Sequence, residues 1–399
     1  MAGQAAGLVR NEGNETIMTV SEKAPRARGA WPRVIFAFFV NEPVLTVLVI
    51  ALAALQTLHP RAWSALPGLV DWPTIMTLTG LLILTKAVEL SGFLMWLAHR
   101  VVHHVHSERG LACLVIGLAA FLSMIVTNDV ALFVVVPLVL SLNHLTPLPV
   151  KRLAIFAALA VNAGSVLTPL GNPQNLFLWQ TSGVSFGAFV YALLPLCALL
   201  MAMLYGLAFF SFKAAPLDLS RDAPSGRVDR AYAATAAVLF VAFVLLADAH
   251  RPGIALAGIA AGLLIWRRDA VLKIDWPLLV IFALMFIVLR SAAALPWVRE
   301  SIAAIGIGTP VRAYVAGAVL SQGISNVPAA IMLAEFSHDW RALAFGVSVG
   351  GFGIAIGSLA NLIAVRLVKQ RGIWFGFHLL SIPFWIIALV LGAVLLRGW

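Results

Sequence analysis

Charge is scarce in this sequence. Only 11% of its 399 residues are Asp, Glu, Lys or Arg, whereas 61% are hydrophobic and the mean hydropathy is +0.97. A soluble domain is nearer a quarter charged, so this composition excludes an ordinary water-soluble fold. Apolar runs longer than about 18 residues recur from residue 43 to the C-terminus, and the short alternation of barrel strands is absent. The sequence therefore predicts an all-α polytopic membrane protein.

Other absences narrow the function. No P-loop motif GxxxxGK[ST] occurs, which argues against ATP-driven transport by this chain. The formal charge of +10 comes mostly from short loops between apolar runs, with no aromatic-interleaved basic face. That distribution is typical of loops that orient membrane helices, so no nucleic-acid partner is predicted. The two cysteines, Cys113 and Cys197, lie in apolar segments and are interpreted as packing residues.

The polar segments predict four regions. Residues 1–43 read as a cytoplasmic N-terminal tail with an interfacial helix, because they are basic and lack an apolar signal-peptide core. Residues 44–213 form a first transmembrane repeat, and residues 214–251 a polar linker plus a connecting helix. Residues 252–399 form a second transmembrane repeat. The connecting helix adds one crossing, so this repeat starts from the opposite face of the membrane and has inverted topology relative to the first. Inverted repeats follow from this arithmetic. The exact span count, about nine plus two hairpins, does not, because each arm of a hairpin resembles a span.

The repeat rests on three landmarks that recur in the same order. The landmark pairs are Asp71-Trp72-Pro73 with Asp275-Trp276-Pro277, LSMIVTN (122–128) with LSQGISN (320–326), and GSVLTPLGN (164–172) with GIAIGSLAN (353–361). At the offset of the first pair, Lys86 corresponds to Arg290. The second pair aligns Thr127-Asn128 with Ser325-Asn326, and the third aligns Asn172 with Asn361. If the basic tail is inside, the loop charges are consistent only when 111–145 enters and leaves on one side, as a re-entrant hairpin.

Four polar motifs interrupt the apolar runs. Non-helical backbone at membrane depth survives only where protein or a water-filled cavity satisfies it, so these motifs predict a converging site with special turns at Gly171 and Gly357. The motifs are TND (127–129), TPLGNPQN (168–175), SNVP (325–328) and GSLAN (357–361). The predicted substrate-binding residues are Thr127, Asn128, Asn172, Asn175, Ser325, Asn326, Ser358 and Asn361. The alternative is that Asn128 and Asn326 only cap half-helices.

Three charged residues inside apolar runs are further candidates. Asp129 is predicted to carry the coupling ion or proton, since intramembrane carboxylates are mostly functional, although a paired structural carboxylate is the alternative. Lys86 and Arg290 are candidates for an anion contact or a gate. The alternatives are an i,i+3 pair of Lys86 with Glu89, and snorkelling of Arg290 to the interface.

The histidine loop suggests a more remote alternative. His99, His103 and His104 have the HxxxHH spacing of one box of membrane di-iron oxidases. Such a metalloenzyme needs several boxes, and the other histidines are isolated outside this loop. We therefore interpret the loop as a basic surface and predict no metal site and no enzymatic activity.

These motifs resemble the ion transporter superfamily, specifically its citrate-transporter-like grouping of arsenite permeases, NhaD-type sodium/proton antiporters and divalent anion/sodium symporters. The residues that carry the resemblance are TNDVALFVVVP followed by GNPQN, together with ELSGF, SNVPAAIML and GSLAN, within residues 44–399. The resemblance implies two inverted-topology repeats, each with a re-entrant helical hairpin and a broken helix. In the symporter branch Ser-Asn-Thr tips hold sodium and a substrate carboxylate; here Asp129 and Val327 replace the third position, which argues against sodium–dicarboxylate symport.

The expected function is a secondary active transporter, or permease, of the bacterial inner membrane with its N-terminus in the cytoplasm. It would move a small anion or oxyanion coupled to H⁺ or Na⁺ and need no other cofactor. Its partners would be the small ionic substrate and the lipid bilayer, with a homodimer possible by analogy. The alternatives are a Na⁺/H⁺ antiporter and a channel.

Overall fold

The computed structural model describes residues 42–102, 105–144, 146–217 and 227–398. These residues are almost wholly helical and contain no β-strand; one isolated bridge joins Ser107 and Pro216. The prediction of an all-α protein is confirmed. The described residues from Val47 onward form one compact unit. Most of the predicted tail and interfacial helix lies outside the described residues, and the four predicted regions stay a prediction.

Eighteen α-helices are described, with a 3-10 turn before α2 (Trp63–Leu69) and another before α17 (Ala355–Gly357). The helices are α1 Pro43–Leu58, α2 Trp72–Leu90, α3 Phe93–Val102, α4 Glu108–Ile125, α5 Asn128–Asn143, α6 Val150–Gly164, α7 Pro173–Ser182, α8 Phe186–Ser211, α9 Arg230–Asp248, α10 Pro252–Trp266, α11 Asp269–Leu272, α12 Trp276–Ala293, α13 Pro296–Ile305, α14 Pro310–Ile324, α15 Asn326–Ala334, α16 Trp340–Gly350, α17 Leu359–Val368 and α18 Ile373–Gly398.

Six described helices are long and apolar enough to cross a membrane: α2, α4, α8, α9, α12 and α18. Further apolar helices, among them α5 and α10, are shorter than 18 residues. An integral multi-pass protein is thus confirmed. The predicted count of about nine spans plus two hairpins stays a prediction, because half-helices on either side of a break are too short to be counted by length alone.

Helix lengths follow the same order twice. From α2 to α8 they are 19, 10, 18, 16, 15, 10 and 26 residues. From α12 to α18 they are 18, 10, 15, 9, 11, 10 and 26 residues. The packing also corresponds: α5 and α6 contact α17, while α15 and α16 contact α7. In each half, the fourth and fifth helices of the series therefore pack on the sixth helix of the other half.

Two long apolar segments of the sequence are each divided between two helices. The segment 72–98 is divided between α2 and α3, because Gly92 has φ +76° and lies outside the helical region. The segment 275–298 is divided between α12 and α13, where Pro296 begins the second helix. Both breaks come at the same position of the helix series.

The tightest packing is between helix backbones. A Cβ atom on Gly164 of α6 would overlap the backbone of Ala120 in α4, and one on Gly346 of α16 would overlap the carbonyl oxygen of Tyr314 in α14. Helices in lipid gain stability from such close approach rather than from a hydrophobic effect between them. The two helix pairs that carry the polar motifs are therefore rigidly held.

Candidate functional site

The first tip, residues 127–129, lies against the first break, residues 165–172. Thr127 is extended between α4 and α5, with φ −61° and ψ 150°. The N–H of Asn128 donates to the Gly171 carbonyl at 3.0 Å, and the Thr168 hydroxyl donates to the Met124 carbonyl. Backbone groups that the helix ends leave unpaired are thus satisfied by the neighbouring break.

The glycines of the breaks have a different role from the predicted one. Neither Gly171 nor Gly357 has a positive φ; in the second break that conformation belongs to Gly353, at +87°. A Cβ on Gly171 would lie 2.5 Å from the Ser123 carbonyl oxygen, and one on Gly357 would lie 2.6 Å from that of Gly350. Other residues are therefore excluded from these two positions, as predicted, but the reason is close backbone approach rather than a positive φ.

The second tip is residues 325–328, and the second break is residues 351–358. Gln322, on α14 just before this tip, forms hydrogen bonds at the start of this break. Gln322 donates from Nε2 to the Gly350 carbonyl at 2.8 Å and accepts at Oε1 from the Ile354 N–H at 2.8 Å. Ser325 has φ +75°, which costs a non-glycine residue about 1–3 kcal/mol. Strain of this size persists only where the surroundings hold the backbone in place.

Asn162, near the end of α6, joins the two halves. Its Nδ2 donates to Asn361 Oδ1 at 2.8 Å and to the Gly351 carbonyl at 3.2 Å, and its Oδ1 accepts from the Ser358 hydroxyl at 2.9 Å. A Cβ on Gly351 would lie 3.3 Å from Asn326 Nδ2 and 3.6 Å from Asn162 Oδ1, so the second tip adjoins this cluster. The sequence prediction missed Asn162; its signal was a lone amide in the apolar run just before the first break.

The first break is closed by its own amides. Asn172 accepts at Oδ1 from the Asn175 N–H at 2.9 Å, which caps α7, and donates to the Ser165 carbonyl at 3.1 Å. Asn175 donates to the carbonyls of Ser165 and Val166 at 3.2 and 3.1 Å. The Oδ1 atom of Asn175 is buried and has no hydrogen-bond partner. One acceptor of this break thus stays available.

The side chains of the first tip are buried but unpaired. Thr127 and Asn128 are 7% and 6% exposed, and neither side chain has a hydrogen bond to a described residue. The helix-cap alternative was wrong, because Thr127 and Ser325 occupy the N-cap positions and no side-chain cap bond forms at either. A buried amide without partners costs free energy that a ligand can recover.

The eight predicted binding residues thus fall into three groups. Asn172, Ser358 and Asn361 have their side chains engaged in the cluster, so they form its frame. Unpaired capacity lies on Thr127 and Asn128 and on the acceptor of Asn175. Ser325 and Asn326 contact each other only weakly, at 3.5 Å.

Asp129, the last residue of the first tip, has an unpaired carboxylate. It is partly buried, its Oδ1 is occluded without a hydrogen bond, and no described cation forms an ion pair with it. The corresponding residue of the second tip is Val327, so the two tips differ in charge. An isolated carboxylate at this depth can exchange a proton or a cation.

Lys86 is held within its own helix. Its Nζ lies 2.6 Å from Glu89 Oε2, which is the pair that the i,i+3 spacing predicted. The Lys86 side chain is 24% exposed. In the described part of the chain it forms no hydrogen bond or ion pair with a tip or break residue.

Arg290 instead contacts other elements. Its Nε lies 2.9 Å from Glu335 Oε1, just beyond α15, and its Nη1 donates to the Leu69 carbonyl at 2.7 Å. Asp71 Oδ2 is 4.0 Å away. The snorkelling alternative for Arg290 was incomplete, because partners more than 40 residues distant in sequence hold the guanidinium, and these could not be read from its own helix.

The enzyme alternatives gain no support from the site. His103 and His104 lie outside the described residues, and in the described part no group of three His, Cys, Asp or Glu could hold a metal. Gly346 to Gly350 reads GVSVG, the GxSxG pattern of a nucleophile elbow. Ser348 lies inside α16 rather than on a strand-to-helix turn, so the pattern lacks the required geometry.

The sequence profile described as "Citrate transporter" matches residues 34–338, about three quarters of the chain. The chain belongs to the citrate transporter family. It is 40% identical to the inner membrane protein YbiR of Escherichia coli over 355 residues, 88% of this chain and 94% of that protein. It is 30% identical to an uncharacterized transporter of Methanocaldococcus jannaschii over 336 residues, 84% of this chain and 89% of that protein. A silicon efflux transporter of Oryza sativa subsp. japonica is 31% identical over 126 residues, 32% of this chain and 26% of that protein.

Family membership and the apolar helices together identify an integral, multi-pass transport protein of the inner membrane. The relatives are named as membrane proteins and transporters, which agrees with the prediction of transport rather than enzymatic catalysis. The recognition of a citrate-transporter-like protein from its TND and GNPQN motifs is confirmed.

Replacing Asn162 with alanine is expected to lower the free energy of unfolding by about 3 kcal/mol. The change leaves Asn361 Oδ1 and the Ser358 hydroxyl buried without their partner, at about 1–3 kcal/mol each. Unfolding by SDS in mixed micelles measures it. Asn143→Ala is the control, since among the described residues Asn143 accepts only the Leu148 N–H, and it should lose about 1 kcal/mol. Equal losses would contradict the role of Asn162 between the halves.

Proposed function

We propose that this protein is a secondary active transporter that moves a small anion or oxyanion, driven by a gradient of H⁺ or Na⁺. The observation that carries the proposal is the buried polar cluster formed by two tips and two breaks within apolar helices. It combines unpaired amide and hydroxyl groups with one unpaired carboxylate, Asp129.

The architecture that we propose is a pair of inverted-topology repeats, α2–α8 and α12–α18, each with a re-entrant helical hairpin and a broken helix. The hairpins are α4–α5 and α14–α15, and the broken helices are α6–α7 and α16–α17. The repeated order of helix lengths and the reciprocal packing of each half on the other support this arrangement. Binding near the midplane between such repeats is the usual arrangement in secondary transporters.

An anion is the substrate that the helix ends favour. Four helices begin beside the cluster: α5 at Asn128, α7 at Pro173, α15 at Asn326 and α17 at Leu359. Helix N-termini carry a partial positive charge, which stabilises a bound anion. The Asn128 and Asn175 N–H groups are already hydrogen-bonded, so this charge rather than those two donors favours an anion. The family description names citrate, and one relative is named for silicon efflux. A carboxylate or a small oxyanion is therefore consistent with the site, with the family description and with the name of that relative.

Asp129 supplies the coupling in this proposal. Its carboxylate lies one residue from Asn128, so a proton or sodium ion on Asp129 changes the charge felt by a substrate at the first tip. Loading of both the ion and the anion would then be mutually favourable, which is thermodynamic coupling between two sites. Moving the hairpin-bearing elements against the remaining helices would expose the loaded cluster to each side in turn.

The proposal is tested by anion flux into proteoliposomes that contain the purified full chain. Citrate, phosphate, arsenite and silicate are offered separately, under an imposed pH gradient and then under an imposed sodium gradient. Uptake above the level of empty liposomes, driven by one of the two gradients, is the expected result and names the coupling ion. Absence of uptake for every anion under both gradients would refute anion transport.

A Na⁺/H⁺ antiporter is the second candidate, and the unpaired Asp129 is the observation that favours it. In that case the carboxylate would bind Na⁺ and H⁺ alternately, and no anion would be needed. The same liposomes, loaded with a pH-sensitive dye and given a sodium pulse without anions, should show proton movement only for an antiporter. The homodimer raised by the resemblance stays a prediction.

A further inference from the structure

A cavity of about 620 Å³ opens beside the C-terminal end of α12. None of the eight predicted binding residues lines it. Its charged lining residues are Arg61, Arg290, Arg299 and Glu335. All three cations of the lining are arginine. The cavity is therefore a charged site separate from the tips and breaks.

The arginines come from three parts of the fold. Arg61 lies in the loop after α1, where Gln56 accepts from its N–H at 2.9 Å and donates to its carbonyl at 3.2 Å. Arg290 is at the end of α12, and Arg299 is on α13. Arg312 of α14 reaches the rim, since its Nη1 lies 2.6 Å from where a Cβ on Gly306 would be.

The positive charge of the cavity is only partly compensated. Glu335 is paired with Arg290 at 2.9 Å, and Asp71 stands 4.0 Å from the same guanidinium. Neither Arg61 nor Arg299 forms an ion pair or side-chain hydrogen bond with a described residue. Two guanidinium groups are thus available for a ligand, next to a third that is held in place.

The location of this charge is unusual for a membrane protein. In the orientation predicted from the loops, the cytoplasmic face carries Lys151, Lys213 and Lys273, while the cavity opens on the opposite face. Lysine and arginine are depleted from short loops on that face, so an arginine cluster there needs another reason. Guanidinium groups bind carboxylates and oxyanions through two parallel hydrogen bonds, which an ammonium cannot do.

We propose that this cavity is a second anion site, which binds a small carboxylate or oxyanion on the outer face. Arg61 and Arg299 contact the anion, and Arg290 is held in place beside them. The site does not depend on the proposed transport reaction, since an anion can bind there whether or not it is carried across. Its separation from the tips also means that each site can be removed by itself.

Isothermal titration calorimetry on the purified full chain in detergent tests the proposal, with citrate, phosphate and sulfate as probes. The variants are Arg61→Gln and Arg299→Gln, each of which removes one charge from the lining. Arg251→Gln is the matched control, because Arg251 is exposed and does not line the cavity. The double variant Asn128→Ala/Asn326→Ala removes the tip amides and isolates the cavity. Unfolding curves confirm that each variant is folded.

The expected result is saturable binding of at least one probe in the double tip variant, weakened about tenfold or more by Arg61→Gln or Arg299→Gln and unchanged by Arg251→Gln. The proposal is overturned if the double tip variant binds no probe, if both cavity variants bind as the parent does, or if Arg251→Gln weakens binding equally. These outcomes leave the liposome flux assay unaffected, so failure of the cavity and failure of transport are distinguishable.

Discussion

Replacing Asp129 with asparagine is expected to reduce gradient-driven anion uptake about 100-fold, which corresponds to ~2.8 kcal/mol at ~1.4 kcal/mol per tenfold. Asparagine keeps the shape of the side chain but has no negative charge to take up a proton or to attract a sodium ion. The carboxylate has no described cation partner, so its removal breaks no ion pair of the fold. Folding should therefore be retained while coupling is lost.

The measurement compares two modes of transport in the same proteoliposomes. Uptake driven by the coupling gradient should fall, whereas exchange of labelled for unlabelled anion at equal concentrations should continue, because exchange needs no net movement of the coupling ion. Asp269→Asn is the control, since Asp269 is exposed and paired with Lys273 at 2.8 Å. Unchanged gradient-driven uptake in Asp129→Asn would identify Asp129 as a structural residue.

Replacing Arg290 with glutamine is expected to lower the free energy of unfolding by about 2 kcal/mol or more. The change removes the ion pair with Glu335 and the charge-assisted hydrogen bond to the Leu69 carbonyl, and a hydrogen bond of this kind contributes about 1.5–3 kcal/mol. These contacts join the end of α12 to the end of the second hairpin and to the segment before α2. Anion uptake should fall as well if this junction closes the outer side during transport.

Lys86→Gln is the matched control, because Lys86 corresponds to Arg290 in the other half. In the part of the chain that the structure describes, its single partner is Glu89 on the same helix, and pairs of this kind contribute about 0.2–0.5 kcal/mol. SDS-induced unfolding and uptake are measured on both variants. Similar losses of stability in the two variants would contradict the asymmetry that the contacts imply.

The polar motifs could be located from sequence because membrane burial makes them conspicuous. In hydrocarbon a backbone break or an amide is costly unless protein or water satisfies it, so TND, TPLGNPQN, SNVP and GSLAN stand out from the apolar runs. The helices do end at or beside these motifs: α4 at Ile125, α6 at Gly164, α14 at Ile324 and α16 at Gly350. The sequence indicated that glycine is needed at positions 171 and 357, but the reason, close approach of neighbouring backbone rather than a positive φ, is seen only in the structure.

The sequence by itself determined the class of the protein, the four helix interruptions at the polar motifs, the repeated landmarks and the local Lys86–Glu89 pair. All of these depend on composition or on residues within a few turns. The tertiary structure alone decided that Asn162 joins the two halves, that Asn172 and Asn361 belong to the frame, and that three arginines line one cavity. Those contacts join residues up to 200 or more positions apart, so they exist only once the chain has folded back on itself.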